Sequence, residues 1–234
     1  MAKFKPYKFI YFNYSDFFMI YPITRLFMSI ILFIFVKDVY GLNNLPKKGP
    51  YIIASNHQSH LDGFLLASYI IKQTNQKVHF LAKKEFISYF GKTIEYLIYK
   101  NWASTIEVEK IGTKNKGKKA IKQSIILLKE GEIIGIFPEG KRTYDGSVLE
   151  GRTGIVRILQ KANVPIIPIG INGAYILLPR NKIIPRIWRS RITIKIGKPF
   201  YITKLKKITK NSLRTSTTLI MKKIAKEAGV KYEH

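Results

Sequence analysis

Two histidines and an aspartate lie within one seven-residue stretch, NHQSHLD at positions 56–62. The chain has four histidines in all, so half of them are in this stretch. A carboxylate beside an imidazole holds one ring nitrogen as N–H and stabilises the imidazolium, while the other nitrogen accepts a proton as a general base. His57 and Asp62 are the predicted base and orienting carboxylate. They form the base and orienting half of a triad, which lacks only an assigned nucleophile.

Two other interpretations of the same residues stay open. The stretch resembles the His/Asp clusters of metallo-β-lactamase-type hydrolases, but a zinc site needs further ligands. Only His79 and His234 remain to supply them, and the chain has no cysteine, so we expect no metal. The second alternative is a polar turn that these side chains cap.

The segments on either side of the stretch predict its place in a fold. An apolar run at 51–56 is typical of a buried strand, and the pattern from Asp62 to Lys72 is helical. Further strands are predicted at 78–82, 105–109, 133–138, 165–171 and 191–197, and further helices at 88–99, 116–130, 154–162 and about 211–228. Alternating strands and helices predict an α/β fold, a mostly parallel sheet flanked by helices. Since such folds carry their sites at the carboxyl ends of strands, His57 is expected there.

A second polar turn, IFPEGKRTYDGS at 136–147, follows another predicted strand and is expected at the same edge of the sheet. Gly140 allows a close approach of the backbone to a ligand. Arg142 offers a planar fork of donors suited to phosphate, and Lys141 adds a second positive charge. Glu139 is unusual as a phosphate ligand and is interpreted as orienting the arginine or a substrate hydroxyl.

The charge of the chain predicts a polyanionic partner. There are 41 Lys and Arg against 14 Asp and Glu, a formal charge of +27. Nucleic acid and an anionic membrane surface both fit this charge. We see no helix-turn-helix, zinc or RNA-binding signature, and an apolar N-terminal segment argues against nucleic acid.

That apolar segment, residues 17–36, is about 20 residues long and could cross a bilayer. Pro22 and Arg25 divide it, so a span and a segment lying in one leaflet both remain open. We predict that residues 1–37 form a membrane-attached helical segment and residues 38–234 the catalytic domain.

Four sequence blocks, in this order, resemble the glycerophospholipid acyltransferase family, in particular the 1-acylglycerol-3-phosphate acyltransferases. The first is GLNNLPKKGPYIIASNHQSHLD at 41–62, with four residues between Asn-His and Asp, and the second is TIEVEK at 105–110. The third is FPEGKRT at 137–143, close to the usual Phe-Pro-Glu-Gly-Thr-Arg-Ser, and the fourth is VPIIPI at 164–169. Any one block is weak, but four in order are specific.

The resemblance implies an activity: transfer of a fatty acyl group from acyl carrier protein or coenzyme A to the sn-2 hydroxyl of lysophosphatidic acid, giving phosphatidic acid. His57 would deprotonate the hydroxyl, which attacks the thioester directly, and Asp62 would orient His57. The residues implied to bind the acceptor are Glu139, Gly140, Arg142 and Lys110. No cofactor is implied, and His60 would be a bystander. Glycerol 3-phosphate, another lysophospholipid or a lipid amino acid are alternative acceptors.

Two residues depart from the family pattern, and both are lysines. Lys110 stands where arginine is usual, which keeps the charge but loses the bidentate fork. Lys141 replaces a small polar residue. Two basic stretches with interleaved apolar residues, 178–191 and 204–210, suit an anionic bilayer interface, so we expect the protein at the cytoplasmic face of the cell membrane.

Overall fold

The computed structural model describes residues 30, 34–83, 103–108, 117–180, 182, 186 and 191–234. The predicted helix at 88–99, Lys110 and most of residues 1–37 lie outside these ranges. The strands are β1 Val36–Tyr40, β2 Tyr51–Ser55, β3 Val78–Lys83, β4 Ala103–Val108, β5 Ile133–Ile136, β6 Ile166–Asn172 and β7 Ile192–Ile196. The α-helices are α1 Asp62–Thr74, α2 Lys118–Lys129, α3 Gly154–Ala162, α4 Ala174–Leu177 and α5 Lys210–Ala228.

The seven strands form one sheet in the order β1-β7-β6-β2-β5-β3-β4. Each neighbouring pair is parallel except β6 with β7, which is antiparallel. The predicted α/β fold with a mostly parallel sheet flanked by helices is therefore confirmed.

Helices cover both faces of the sheet, and β2 shows how the sequence directs this. Successive side chains of a strand point to opposite faces. Tyr51 and Ile53 belong to the core on the side of α1, whereas Ile52 and Ala54 belong to the core formed with α2, α3 and α5. All five residues of β2 are buried because the strand has a neighbour on each side and a layer on each face, which explains its unbroken apolar run.

The edge strand β1 runs in the opposite direction to β2. It is parallel to β7, which is antiparallel to β6, and β6 is parallel to β2. Val36 pairs with Ile192, at the level where β6 ends. The chain therefore joins the sheet at the carboxyl ends of β2 and β6, where NHQSHLD begins.

The lysine-rich segment 204–210 lies at the other end of the strands, where β6 begins. After β7 the chain runs down to Phe200, which pairs with Ile166 at the start of β6, and Leu205 N–H then bonds to the Gln160 side chain near the end of α3. The predicted contact of this segment with an anionic bilayer stays a prediction, and the segment follows the strand starts whereas His57 follows the carboxyl end of β2.

None of the helices in the described part of the chain has both the length and the apolar composition needed to cross a membrane. The predicted membrane-attached segment falls largely on residues 1–33, of which only residue 30 is described.

Candidate active site

The His57 side chain and the Asp62 carboxylate are in contact. Nδ1 of His57 lies 2.8 Å from Oδ2 of Asp62, with the Asp62 side chain fully buried and that of His57 23% exposed. His57 follows the end of β2, and Asp62 is the first residue of α1. The strand-to-helix turn thus brings together the two residues that the sequence paired.

The same oxygen of Asp62 also accepts backbone N–H groups from Gln58, at 2.6 Å, and Ser59, at 2.7 Å. The polar-turn interpretation is therefore correct as well, because the carboxylate holds the turn and the imidazole at once. A carboxylate oxygen can only accept hydrogen bonds. In its contact with His57 the ring nitrogen must therefore be the donor, so Nδ1 carries the proton. Nε2 is left as the basic nitrogen, and no described residue bonds to it.

An aromatic ring supports the imidazole from one face. The Phe137 ring stacks on His57 with the ring centroids 4.2 Å apart, and Phe80 stacks behind Phe137 at 5.7 Å. A Cβ at Gly135 would overlap the Phe80 ring, so this position of β5 requires glycine. Packing of this kind fixes the plane of the imidazole in a way that the hydrogen bond alone does not.

The second polar turn holds the backbone of His57 on both sides. Its Glu139 Oε1 accepts the His57 N–H at 3.0 Å, and its Thr143 N–H donates to the His57 carbonyl at 2.9 Å. Gly140 lies between them with φ 66°, and a Cβ there would fall 2.8 Å from the Arg152 side chain. The two turns therefore meet at the carboxyl ends of the strands, as predicted, and the N–H and carbonyl of His57 make the hydrogen bonds between them.

Glu139 points into the protein. Its side chain has two backbone partners, the N–H of His57 and, at 3.2 Å, the N–H of Leu149. Glu139 is 2% exposed, and burial raises the pKa of its carboxyl to about 8. The negative charge of Asp62 acts in the same direction, whereas the two N–H bonds and Lys141 act against it. Glu139 is therefore placed to hold His57 in position and not to orient Arg142.

The raised pKa of Glu139 predicts a pH dependence of stability. The folded protein binds this proton more tightly than the unfolded chain, whose carboxyl has the ordinary pKa of 4.5. The contribution of Glu139 to stability is therefore complete below about pH 4.5 and is lost as the pH rises through about 8. We expect Glu139→Gln to remove this part of the pH dependence, measured as the free energy of unfolding in urea between pH 5 and 9.

Glu130→Gln is the matched control, because Glu130 is exposed after α2. It should keep the wild-type slope of stability against pH. Equal slopes for wild type and Glu139→Gln would contradict the assigned pKa.

Arg142 lies beside a second arginine that the sequence did not single out as a site residue. Arg142 Nη1 donates to the Arg180 carbonyl at 3.0 Å, and Arg180 Nη1 donates to the Arg142 carbonyl at 3.1 Å. The Arg180 guanidinium also lies over the Tyr144 ring, 4.4 Å from its centroid. Arg180 belongs to the segment between α4 and β7, so the third block and a later part of the chain meet here.

His60 and His79 lie in different surroundings. Burial, then the positive charges of Arg142 and His57, lower the pKa of His60 to about 4, so the ring is neutral at pH 7. Nε2 of His79 lies 3.2 Å from Oε2 of Glu132. Glu132 precedes β5, so this contact is at the opposite end of the strands from His57. Within the described ranges no three His, Asp or Glu side chains are close enough together to hold a metal ion.

Asn56 and Gln58, also in NHQSHLD, connect the site to its neighbours. The Asn56 amide exchanges two 2.8 Å hydrogen bonds with the backbone of Ile171 and so ties the end of β2 to β6. Gln58 donates to the Gly146 carbonyl and accepts from the N–H of Ala174. Gln58 therefore joins both turns to the start of α4.

Lys110 comes two residues after β4, outside the described residues. Because β4 is parallel to β3, and β3 to β5, the strand ends at the same edge as His57. The structure thus brings together His57, Asp62, Glu139, Gly140 and Arg142. Phe137 and Arg180 are the neighbours that sequence reasoning missed. Phe137 stands in the quoted motif, but its ring contact gives no sequence signal.

Comparison with known proteins shows that the residues of this site lie in a region matched by a family model. The acyltransferase model matches residues 36–172, more than half of the chain and including both turns. A 1-acyl-sn-glycerol-3-phosphate acyltransferase of Bacillus subtilis is 36% identical over 135 residues, which cover 58% of this chain and 62% of that protein. A chloroplastic enzyme of the same name from Brassica napus is 30% identical over 67% of this chain and 43% of its own length. The chain thus spans less than two thirds of either relative.

The fold also has a solved counterpart. The crystal structure of the 1-acyl-sn-glycerophosphate acyltransferase PlsC from Thermotoga maritima superimposes with a TM-score of 0.63. The alignment covers 97% of this chain and 87% of that one, at 23% sequence identity. This likeness establishes a shared fold.

Proposed function

The chain belongs to the acyltransferase family, and we propose that it transfers a fatty acyl group from an acyl thioester to the sn-2 hydroxyl of 1-acylglycerol 3-phosphate, giving phosphatidic acid. The observation that carries the proposal is the imidazole of His57, held from Nδ1 by a buried carboxylate with Nε2 free of described partners. That is the arrangement of a general base.

In the proposed reaction, Nε2 of His57 takes the proton of the acceptor hydroxyl while its oxygen forms a bond to the thioester carbonyl carbon. The tetrahedral intermediate then collapses, the C–S bond breaks, and the imidazolium returns the proton to the leaving thiolate. Asp62 stabilises the imidazolium between these two transfers. The chain has no cysteine, which is consistent with direct attack by the acceptor and without a cysteine-bound acyl intermediate.

The acceptor's phosphate is proposed to bind at the second turn. Arg142 supplies the charged donors, Gly140 the close backbone approach, and Lys110 a further charge from the end of β4. Glu139 is proposed to act indirectly, since its oxygens accept backbone N–H groups of His57 and Leu149. It would then fix the distance between the base and the phosphate-binding turn.

Acyl carrier protein or coenzyme A is proposed as the carrier of the acyl group, and no metal or other cofactor is assigned. Both donors are acidic, and the charge of +27 favours their approach. Residues 1–37 are proposed as the membrane anchor, and residues 38–234 as the catalytic domain on an anionic, cytoplasmic membrane face. The exposed residues Lys182, Arg186 and Arg191, in the connection between α4 and β7, are the described cations that support contact with that surface.

An acceptor panel tests the proposed reaction. The full chain in lipid vesicles is given acyl carrier protein or coenzyme A thioesters together with lysophosphatidic acid, glycerol 3-phosphate, lysophosphatidylglycerol or a lipid amino acid. Lipid mass spectrometry then identifies the product. We expect phosphatidic acid as the main product, with kcat/KM for lysophosphatidic acid exceeding that for every other acceptor.

Faster acylation of any other acceptor would reassign the substrate while keeping the reaction. No acyl transfer to any acceptor, with either donor and with folded protein in the vesicles, would overturn the proposed activity.

A further inference from the structure

Arg142 and Arg180 form a compact cationic pair beside the turn that carries the base. Each guanidinium donates to the backbone carbonyl of the other residue, at 3.0 and 3.1 Å, which locks the two side chains together. Both residues are half-buried. The next residue after Arg142, Thr143, donates its N–H to the His57 carbonyl, so the pair is anchored to the residue that carries the base.

The pair has two positive charges and, in the described part of the chain, no carboxylate within salt-bridge distance of either guanidinium. Burial, and then the positive charge of Arg180, lower the pKa of Arg142. Each guanidinium has five N–H donors, of which a single one is used in the reciprocal bonds. The remaining donors and the uncompensated charge suit an anion that brings two negative charges.

The chemistry of the proposed acceptor requires such an anion close to His57. In 1-acylglycerol 3-phosphate the reacting hydroxyl is on C2, and the phosphate is on the adjacent carbon. A phosphate monoester carries a charge of about −1.5 to −2 at pH 7. A phosphodiester headgroup carries a single negative charge.

We propose that Arg180 joins Arg142 in a two-arginine site that selects an acceptor with a dianionic phosphate monoester over one with a phosphodiester. The inference rests on the proposed function and adds a specificity-determining residue to it. Tyr144 holds the Arg180 guanidinium by a cation–π contact and so helps to pre-organise the pair. The 3′-phosphate monoester of a coenzyme A donor is the other source of such an anion, and the experiment separates the two.

The test compares kcat/KM for lysophosphatidic acid and lysophosphatidylglycerol in wild type, Arg180→Gln and Arg180→Lys. The ratio of kcat/KM for lysophosphatidic acid to kcat/KM for lysophosphatidylglycerol should fall by roughly tenfold or more in Arg180→Gln, because this change removes one charge-assisted contact to the monoester. Arg180→Lys keeps the charge without the fork and should give an intermediate ratio. Arg157→Gln, an exposed position on α3, controls for the loss of one surface charge and should leave the ratio unchanged.

Direct binding gives a readout besides activity. In detergent, glycerol 3-phosphate should raise the melting temperature of the wild-type protein, and the rise should be clearly smaller in Arg180→Gln than in Arg157→Gln. A ratio and a melting shift that both stay at the wild-type values would overturn the inference. An equal loss of kcat/KM for both acceptors would also overturn it, because that result indicates a purely structural role. A change confined to the KM of the acyl donor would overturn it as well, because it assigns the pair to the donor's phosphates.

The failure of this inference is distinguishable from the failure of the proposed function. If wild type prefers lysophosphatidic acid and Arg180→Gln keeps that preference, the inference alone fails. If wild type shows no such preference, the proposed acceptor fails, and the glycerol 3-phosphate measurement still reports whether the two arginines bind a phosphate monoester.

Discussion

Replacing His57 by alanine should reduce the rate of acyl transfer by roughly 10² to 10⁴-fold, the usual contribution of a general base. The side chain is partly exposed, and its backbone bonds to Glu139 and Thr143 do not depend on the imidazole. We therefore expect the variant to fold and to bind vesicles like wild type. Initial rates at saturating donor and acceptor, together with a thermal melt, measure the two effects separately.

His60→Ala is the matched control, since His60 lies three residues away in the same turn and has no assigned role in the reaction. It should retain a rate close to that of wild type. An active His57→Ala variant would remove His57 as the base. An inactive His60→Ala variant that still folds would favour the metal interpretation, which metal analysis of the purified protein then checks.

Replacing Asp62 should separate catalysis from stability, because Oδ2 alone accepts the three donors from His57, Gln58 and Ser59. In Asp62→Asn the amide oxygen can take the place of Oδ2, so the geometry is kept and the charge is lost. A charge beside the imidazolium is worth about 4 kcal/mol at an effective dielectric constant of about 20, so kcat should fall by roughly 10² to 10³-fold. The measurement is kcat together with the free energy of unfolding in urea.

Asp62→Ala removes the acceptor as well as the charge. Two buried backbone N–H groups then lose their partner, at about 1–3 kcal/mol for each, so this variant should be less stable than Asp62→Asn by roughly 2–6 kcal/mol. Asp38→Asn, which alters a carboxylate on edge strand β1, should affect neither quantity strongly. Wild-type kcat in Asp62→Asn would show that the carboxylate does not stabilise the imidazolium.

The central elements were predictable because their patterns are strong. α3 was predicted with the bounds that it has, and α2 was predicted within two residues at each end. β1 was not predicted, because VKDVY carries two charges and follows a long apolar stretch. An edge strand pairs on one side only, so its sequence alternates weakly. The antiparallel direction of β7 was also not predicted, since strand direction depends on the connection from β6 and not on the residues of the strand.

Within the site, local spacing was informative and distant partners were not. The four residues between His57 and Asp62 span one turn, so the contact of these two side chains was predictable from the pattern of strand and helix. Glu139 lies 82 residues from His57 and bonds to backbone N–H groups, which every residue but proline carries. Its role in holding His57 therefore leaves no pattern of residue types. The same holds for Arg180, whose partner in the Arg142 segment is a carbonyl.

The direction of β1 has a consequence for how the enzyme would meet its lipid. The chain joins the sheet at Val36, on the carboxyl edge and three strands from β2, on the order of 14 Å away. If the residues before β1 lie in a bilayer as proposed, this short tether keeps the mouth of the site at the bilayer surface. The acceptor then arrives by lateral diffusion, and turnover follows its mole fraction in the membrane. Diluting the acceptor with inert lipid would slow the enzyme even at constant bulk concentration.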